Sequence, residues 1–331
     1  MENKNCTKRT PASDTCPTRH AFLIIAHHEP EVLRLLLTLL DDERNDIFLH
    51  VDGRAGWLAD RFRTWKPAHA GFRLLPQPID VYWGDISQVR TELLLFETAR
   101  LTGPYAYYHL LSGVDLPLRD MDSLHKFFTI HAGKEFVNIT DTPYDRADIR
   151  RKVGYYYLFT RHFRDRGTME HNVCSFLRNV VLAVQKVVRF RRRPWLEFRK
   201  GANWVSISDD FCAFLLERAS EMVRRYAKTK CADEIFLQTL LWNSPFRERL
   251  YRLPDGRTGN LRAIDWVRGA PYTWRDEDFD ELMQSQAFFG RKIGGVTDSS
   301  SDGFTQPLPV STNVCHGRTR RPMSERLPAC A

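Results

Sequence analysis

The stretch from His20 to Val51 constrains the fold more than any other. It holds two short apolar runs, HAFLIIA at 20–26 and DIFLHV at 46–51, with leucines at helical spacing from Glu31 to Leu40 between them. Runs this short read as strands buried on both faces, since a membrane span needs roughly 20 apolar residues. Strand, helix and strand in this order predict a βαβ unit and so a parallel sheet.

The same rhythm continues. Phe72 to Leu75 reads as a third strand, Ser87 to Ala99 as a helix capped by Ser87 or Asp85, and Tyr105 to Leu111 as a fourth strand. Ser123 to His131 is expected to be helical behind Asp120 or Asp122, and Glu135 to Ile139 to be a fifth strand. Further on, Asn172 to Val188 has a long helical pattern, and Asn203 to Ile207 reads as a strand before a helix over Asp210 to Glu217. Ala219 to Lys228 is expected as another helix, and Asp233 to Leu241 as an apolar helix headed by two acids. Leu261 to Trp266, Asp276 to Gln284 and Phe288 to Lys292 read as strand, short helix and closing strand. The expected organisation is a polar leader at 1–18, a domain at 19–293 with a nucleotide-sugar-binding half (19–140) and an acceptor half (141–293), and a Ser/Thr/Pro/Arg-rich tail at 294–331.

Hydrophobic content of 43% argues for a folded chain. No secretory signal or membrane span is visible, so a cytoplasmic location is expected, with peripheral attachment at the inner membrane face left open. Seven cysteines with no CxxC spacing read as reduced thiols. The net charge of +8 points to some anionic partner. It is concentrated in RFRRRPWLEFRK at 189–200 and again at Arg318 to Arg321; the mixed basic and aromatic residues of the first could touch anionic lipid, nucleic acid or an acidic polymer, or form a solvated loop.

Several residues are candidates for chemistry. Asp52 and Asp115 follow buried strands, where open α/β sheets bind ligands, although a turn role explains each equally well. His27, after the first strand, suits a nucleotide contact better than a metal, because its neighbours His28 and Glu29 point elsewhere. Asp120-Met121-Asp122, like Asp276-Glu277-Asp278 and Asp278-Phe279-Asp280, is formally a metal-binding DxD, yet each opens an expected helix, where capping is the favoured reading. Arg262 and Lys292 could stabilise a diphosphate without metal. Trp204 could stack on a sugar or pack in the core.

Taken together, His27-His28, His50-Val51-Asp52, Trp83-Gly84 with Ser87, YYHLLSGVDLP at 107–117, NWVSIS at 203–208, Asp233 to Leu240, NSPF at 243–246, and Leu261 to Trp266 before Phe288 to Lys292 form an ordered set. This set resembles the core-2/I-branching β-1,6-N-acetylglucosaminyltransferase family, which includes peptide O-xylosyltransferases; the likeness is to its bacterial branch and spans about residues 20 to 293. The resemblance implies a GT-A glycosyltransferase fold, an α/β architecture with a Rossmann-like, mostly parallel central sheet flanked by helices. It implies an inverting reaction in which a UDP-sugar (N-acetylglucosamine or xylose) is co-substrate, with no cofactor and no metal, and a glycan or glycolipid hydroxyl as acceptor. Nucleic acid is not an expected partner.

Carried over by position, Glu234 matches the family's catalytic base. His27, Asp52, Trp83, Asp115, Arg262 and Lys292 fall on the donor side, the last two as cations on the diphosphate. Trp204 and Asp233 fall on the acceptor side. A base in this role is expected to be partly buried. Two other readings stay open from the residues alone: a metal-dependent transferase using Asp120 and Asp122, and a non-enzymatic anion-binding protein using Arg189 to Lys200.

Overall fold

The computed structural model describes residues 18–164 and 167–294. Apart from residues 18 and 294, the expected leader and tail lie outside the described residues. The first elements are β1 (His20–Ala26), α1 (Pro30–Leu39), β2 (Asn45–Val51), α2 (Gly56–Phe62), β3 (Gly71–Leu74), α3 (Ser87–Thr102) and β4 (Tyr107–Ser112). Then come β5 (Leu116–Pro117), α4 (Met121–Ile130), α5 (Pro143–Val153), α6 (Met169–Val187), β6 (Ser206–Ser208), α7 (Asp209–Glu217) and α8 (Ala219–Tyr226). The described part closes with α9 (Phe236–Trp242), β7 (Arg262–Ile264), α10 (Phe279–Met283) and β8 (Phe289–Arg291).

The central sheet has the order β3-β2-β1-β4-β6, with β1 to β4 parallel and β6 antiparallel to β4. It is the mostly parallel, helix-flanked α/β sheet that the apolar runs predicted. Side chains alternate along β1: Ala21, Leu23 and Ile25 enter one core, while Phe22, Ile24 and Ala26 enter the other. The first core is covered by α3, α7, α8 and α9, the second by α1, α2 and α4. Pro30 opens α1, where a missing N–H costs nothing, and five of its side chains from Val32 to Leu37 are buried.

Register decides where the ends of the strands fall. Ala26 pairs with Val51 and Ile25 with Ser112, so His27, Asp52 and Gly113 emerge along one edge. Because β6 runs against β4, with His109 opposite Ser206, it is the start of β6 that reaches this edge, bringing Trp204 to it. A second small sheet, β5-β8-β7, adds Arg291 and Lys292.

Three expectations are corrected. Glu135 to Ile139 does not form a strand. Its backbone bonds go to Arg249, Ser206 and the hydroxyl of Thr258 in turn, so no ladder develops. Asp233 to Leu241 is not one helix: a 3-10 turn at Ala232–Glu234 is entered through left-handed Cys231 (φ 48°) and broken at Ile235 before α9 starts. Likewise, Asp276–Asp278 is a 3-10 turn ahead of α10.

Candidate active site

The strand ends gather five of the expected residues. The Asp52 carboxylate accepts from the Arg54 backbone N–H (2.9 Å) and from its guanidinium (2.9 Å). Burial opposes the Asp52 charge, but these bonds win and hold its pKa below the usual carboxylate value. The His27 ring stacks on His28 at 4.1 Å. Burial and His28 push its pKa down to about 4, and Asp52, Arg54 and Lys292 all lie close enough to act on it. Asp115 is fully buried and accepts from the Ser112 N–H (2.9 Å) and from Arg291 (2.9 Å). The Arg291 guanidinium in turn lies 4.2 Å over the Trp204 ring. Lys292 follows directly, and among the described residues its ammonium has no carboxylate in salt-bridge range.

Arg262 is the exception. It is expected as a cation facing the ligand, and the structure turns it inward. Its Nη1 donates to Ser206 Oγ (2.9 Å) and to the Asn260 carbonyl, and its Nη2 to the carbonyls of Val205 (2.8 Å) and Leu110 (3.2 Å). Phe289 covers the group at 4.8 Å, and burial pushes its pKa down to about 9. A guanidinium with both Nη atoms spent on the interior is a strut under Asp115, not a surface anion ligand.

Glu234 stands in a network of opposite charges. Its Oε2 accepts from Lys152 Nζ (2.7 Å), and Lys200 Nζ lies 3.4 Å away. Asp148 takes the other side of both lysines, at 3.0 and 2.7 Å, and also binds Arg151. Burial disfavours the Asp148 charge, yet the bonds from Lys200, Arg151 and Lys152 hold its pKa well below normal. Burial works most strongly against the Lys152 charge, but Glu234, Cys231 and Asp148 together outweigh it and the pKa is raised. Nothing in the sequence flagged Lys152, which ends a run of three basic residues and reads there as a solvated face.

The Glu234 side chain is 36% exposed, the partial burial expected of it, and its neighbour sends a carboxyl oxygen deeper. The Asp233 carboxyl turns Oδ1 into the interior, where it has no hydrogen-bond partner among the described residues. Burial, then the charge of Glu234, pushes its pKa up to about 7. It faces Glu92 of α3, which is fully buried and raised by burial and by Asp233. Asp233, expected on the acceptor side, is half-buried and aims Oδ1 into the interior.

Two backbone links tie Glu234 to the strand-end cluster. The Gly201 N–H donates to the Glu234 carbonyl (3.0 Å), three residues before Trp204. The Cys231 N–H donates to the Gly84 carbonyl (3.0 Å), next to Trp83. Gly84 has φ 75°, and a Cβ there would meet Cys231 Sγ at 3.3 Å, so glycine lets the two loops touch. Trp83 is half exposed, with Arg164 4.2 Å over its ring.

Asp120 and Asp122 lie elsewhere. Asp120 caps α4 by accepting from the Ser123 N–H (2.7 Å), and Asp122 pairs with Arg44, just before β2. They therefore sit at the amino edge of the sheet, opposite the strand-end cluster. No group of three His, Cys, Asp or Glu among the described residues is arranged to hold a metal.

A family model described as "Core-2/I-Branching enzyme" matches residues 20–284. Among curated proteins, the chain is 22% identical over 314 residues to "Xylosyltransferase oxt" of Drosophila melanogaster, covering 88% of this chain and 33% of that protein. The corresponding protein of Drosophila pseudoobscura pseudoobscura is 21% identical with the same coverage. The chain thus spans about a third of the length of the curated relatives it matches. Among solved structures, mouse xyloside xylosyltransferase 1 in its apo form matches at TM-score 0.36 and 10% identity, over 82% of this chain and 96% of that one.

Proposed function

Because the chain belongs to the Core-2/I-branching enzyme family, a family of glycosyltransferases, we propose that it is an inverting, metal-independent transferase that moves a sugar from a UDP-sugar to a hydroxyl of a glycan or glycolipid. The observation that carries this reading is the convergence of His27, Asp52, Asp115, Arg291 and Lys292 at the strand ends, tied by two loops to Glu234. A carboxyl-end crevice of a parallel sheet is where α/β proteins bind nucleotides. GT-A describes this architecture, with N-acetylglucosamine or xylose as the donor sugar.

In this reading Asp52 is the acid at the nucleoside, with Arg54 fixing its orientation. Lys292 meets the diphosphate, and Arg291, already anchored on Asp115 and Trp204, stands beside it. Charge that develops on the departing UDP is met by fixed cations, which need no reorganisation during the reaction. Lys152 and Lys200 hold Glu234 through Oε2, leaving Oε1 to accept the proton of the acceptor hydroxyl at about 2.6–3.2 Å. The oxygen then attacks the anomeric carbon from the face opposite UDP, so the configuration inverts. Trp83 and Trp204, each already under an arginine, stand beside the sugars in this reading.

The test is a panel of UDP-sugars assayed for transfer or slow hydrolysis, with EDTA, and with the product anomer read by NMR. One UDP-sugar turned over at full rate in EDTA with inverted configuration is the expected result. A requirement for divalent metal, or retention of configuration, would overturn the mechanism. The metal-dependent alternative has little support, since Asp120 and Asp122 lie at the wrong edge of the sheet.

A further inference from the structure

Helix α6 is inside out. The side chains it turns toward the protein are polar: His171 bonds the His162 carbonyl (2.7 Å), Arg178 lies 4.5 Å over Phe163, and Gln185 bonds both the N–H and the carbonyl of Tyr156. Arg178 and Gln185 are its only buried residues. Most of the side chains it turns to solvent are apolar, with Glu170, Asn172, Asn179 and Lys186 the polar ones among them. Met169, Val173, Phe176, Val180, Val184 and Val187 recur every three or four residues and form one stripe, with Phe176 66% and Val187 80% exposed. A water-facing helix has the opposite polarity, and a stripe this long is not ordinary surface scatter. From His171 to Leu196 the chain contains no acidic residue.

The charge beside the stripe indicates what covers it. Directly after α6, the backbone turns at left-handed Arg189 (φ 54°) into a cleft of about 600 Å³ lined by Arg191, Arg192, Arg193, Arg224, Arg225 and Lys228, with no acid in its wall. Arg225 is paired with Glu221 (2.5 Å), while Arg191, Arg193, Arg224 and Lys228 have no carboxylate in salt-bridge range among the described residues. We propose that α6 lies flat on an anionic lipid surface, its apolar stripe in the headgroup–acyl boundary and the Arg189–Arg193 cluster among the lipid phosphates. An apolar stripe flanked by cations is the signature of interfacial helices. Nineteen residues give a contact about 28 Å long. Among the described residues no helix is long and apolar enough to cross a membrane, so contact from one side is the geometry that α6 permits. A second copy of the chain would bring charge of the same sign to the cluster; anionic lipid satisfies stripe and cluster together. This inference does not depend on the transferase reading.

The full chain is sedimented with phosphatidylcholine vesicles, with and without phosphatidylglycerol, at low and high salt. Binding to the phosphatidylglycerol vesicles at least about tenfold tighter than to neutral ones, and weaker in salt, is expected. Phe176→Glu with Val184→Glu is expected to reduce that binding at least about tenfold without lowering the melting temperature, because both side chains are exposed. Arg189→Glu with Arg193→Glu is expected to abolish the preference for anionic lipid. The proposal is overturned if the chain ignores anionic vesicles, or if the stripe variant binds them as the parent does. It is also overturned if sedimentation velocity shows a dimer that the stripe variant loses, or if vesicle binding appears only after deletion of residues 295–331.

Discussion

Asp233 and Glu234 are adjacent carboxylic acids in opposite surroundings. Glu234 stands at the open side of a 3-10 turn between two lysines; Asp233 points inward at Glu92, without a partner on Oδ1. The same split separates Lys292, without a carboxylate partner among the described residues, from Arg262, sealed beneath the strand ends on backbone carbonyls. In each pair the chemistry of the side chain suits the same task, and the direction in which the backbone aims it decides whether it can act on a ligand or only hold the site up. A buried charge bonded as Arg262 is through both Nη atoms supports structure, and removing it strands partners.

The comparison breaks first at Glu234. Glu234→Gln is expected to keep the fold and the affinity for UDP but to lose about 10²- to 10⁴-fold in transfer rate. Turnover within a few-fold of the parent would remove Glu234 as the base.

The cation pair should separate next. Arg262→Met is expected to cost about 3 kcal/mol of stability, because the Leu110 carbonyl and Ser206 Oγ lose the guanidinium and the Val205 carbonyl is left with the Leu110 N–H alone. Lys292→Met should leave denaturant unfolding unchanged and lower kcat/KM by about 10²-fold. If Lys292→Met destabilised the protein and Arg262→Met damaged only activity, the two assignments would have to be exchanged.

The acid pair gives a smaller, pH-dependent signal. The Asp233 pKa is about 7 when folded and near its ordinary value of 3.8 when unfolded, so the folded state keeps a proton that the unfolded state has lost. That stabilisation is fully present below about pH 4 and is lost as pH rises through about 7. Asp233→Asn should therefore gain stability over the parent on going from about pH 5 to pH 8, by an amount on the order of 2 kcal/mol. Parallel melting-temperature profiles for the two proteins would show that the group is not the buried acid described.

The smallest effect is expected at the far edge. Asp120→Ala removes the cap of α4 and should cost about 1 kcal/mol, with activity unaffected. A metal-dependent loss of activity in this variant would revive the DxD reading.

Much of the architecture was legible in the residues. The runs 20–26 and 46–51 became β1 and β2 because they are short, continuously apolar and separated by a helical pattern, and the order of the blocks carried the family. Glu135 to Ile139 misled because an apolar segment states that it is buried, not whether its backbone finds one partner or several. Lys152 and Arg291 were illegible because their partners, Glu234 and Asp115, are 82 and 176 residues away. Local sequence determined the strands, the caps and the positions of the acids and cations, since those follow from periodicity and backbone preference over a few residues. Only the tertiary structure decided which acid faces a lysine pair, which arginine disappears under Phe289, and that α6 wears its apolar side outward. Those outcomes depend on strand register and on what packs behind each side chain, which no single segment contains.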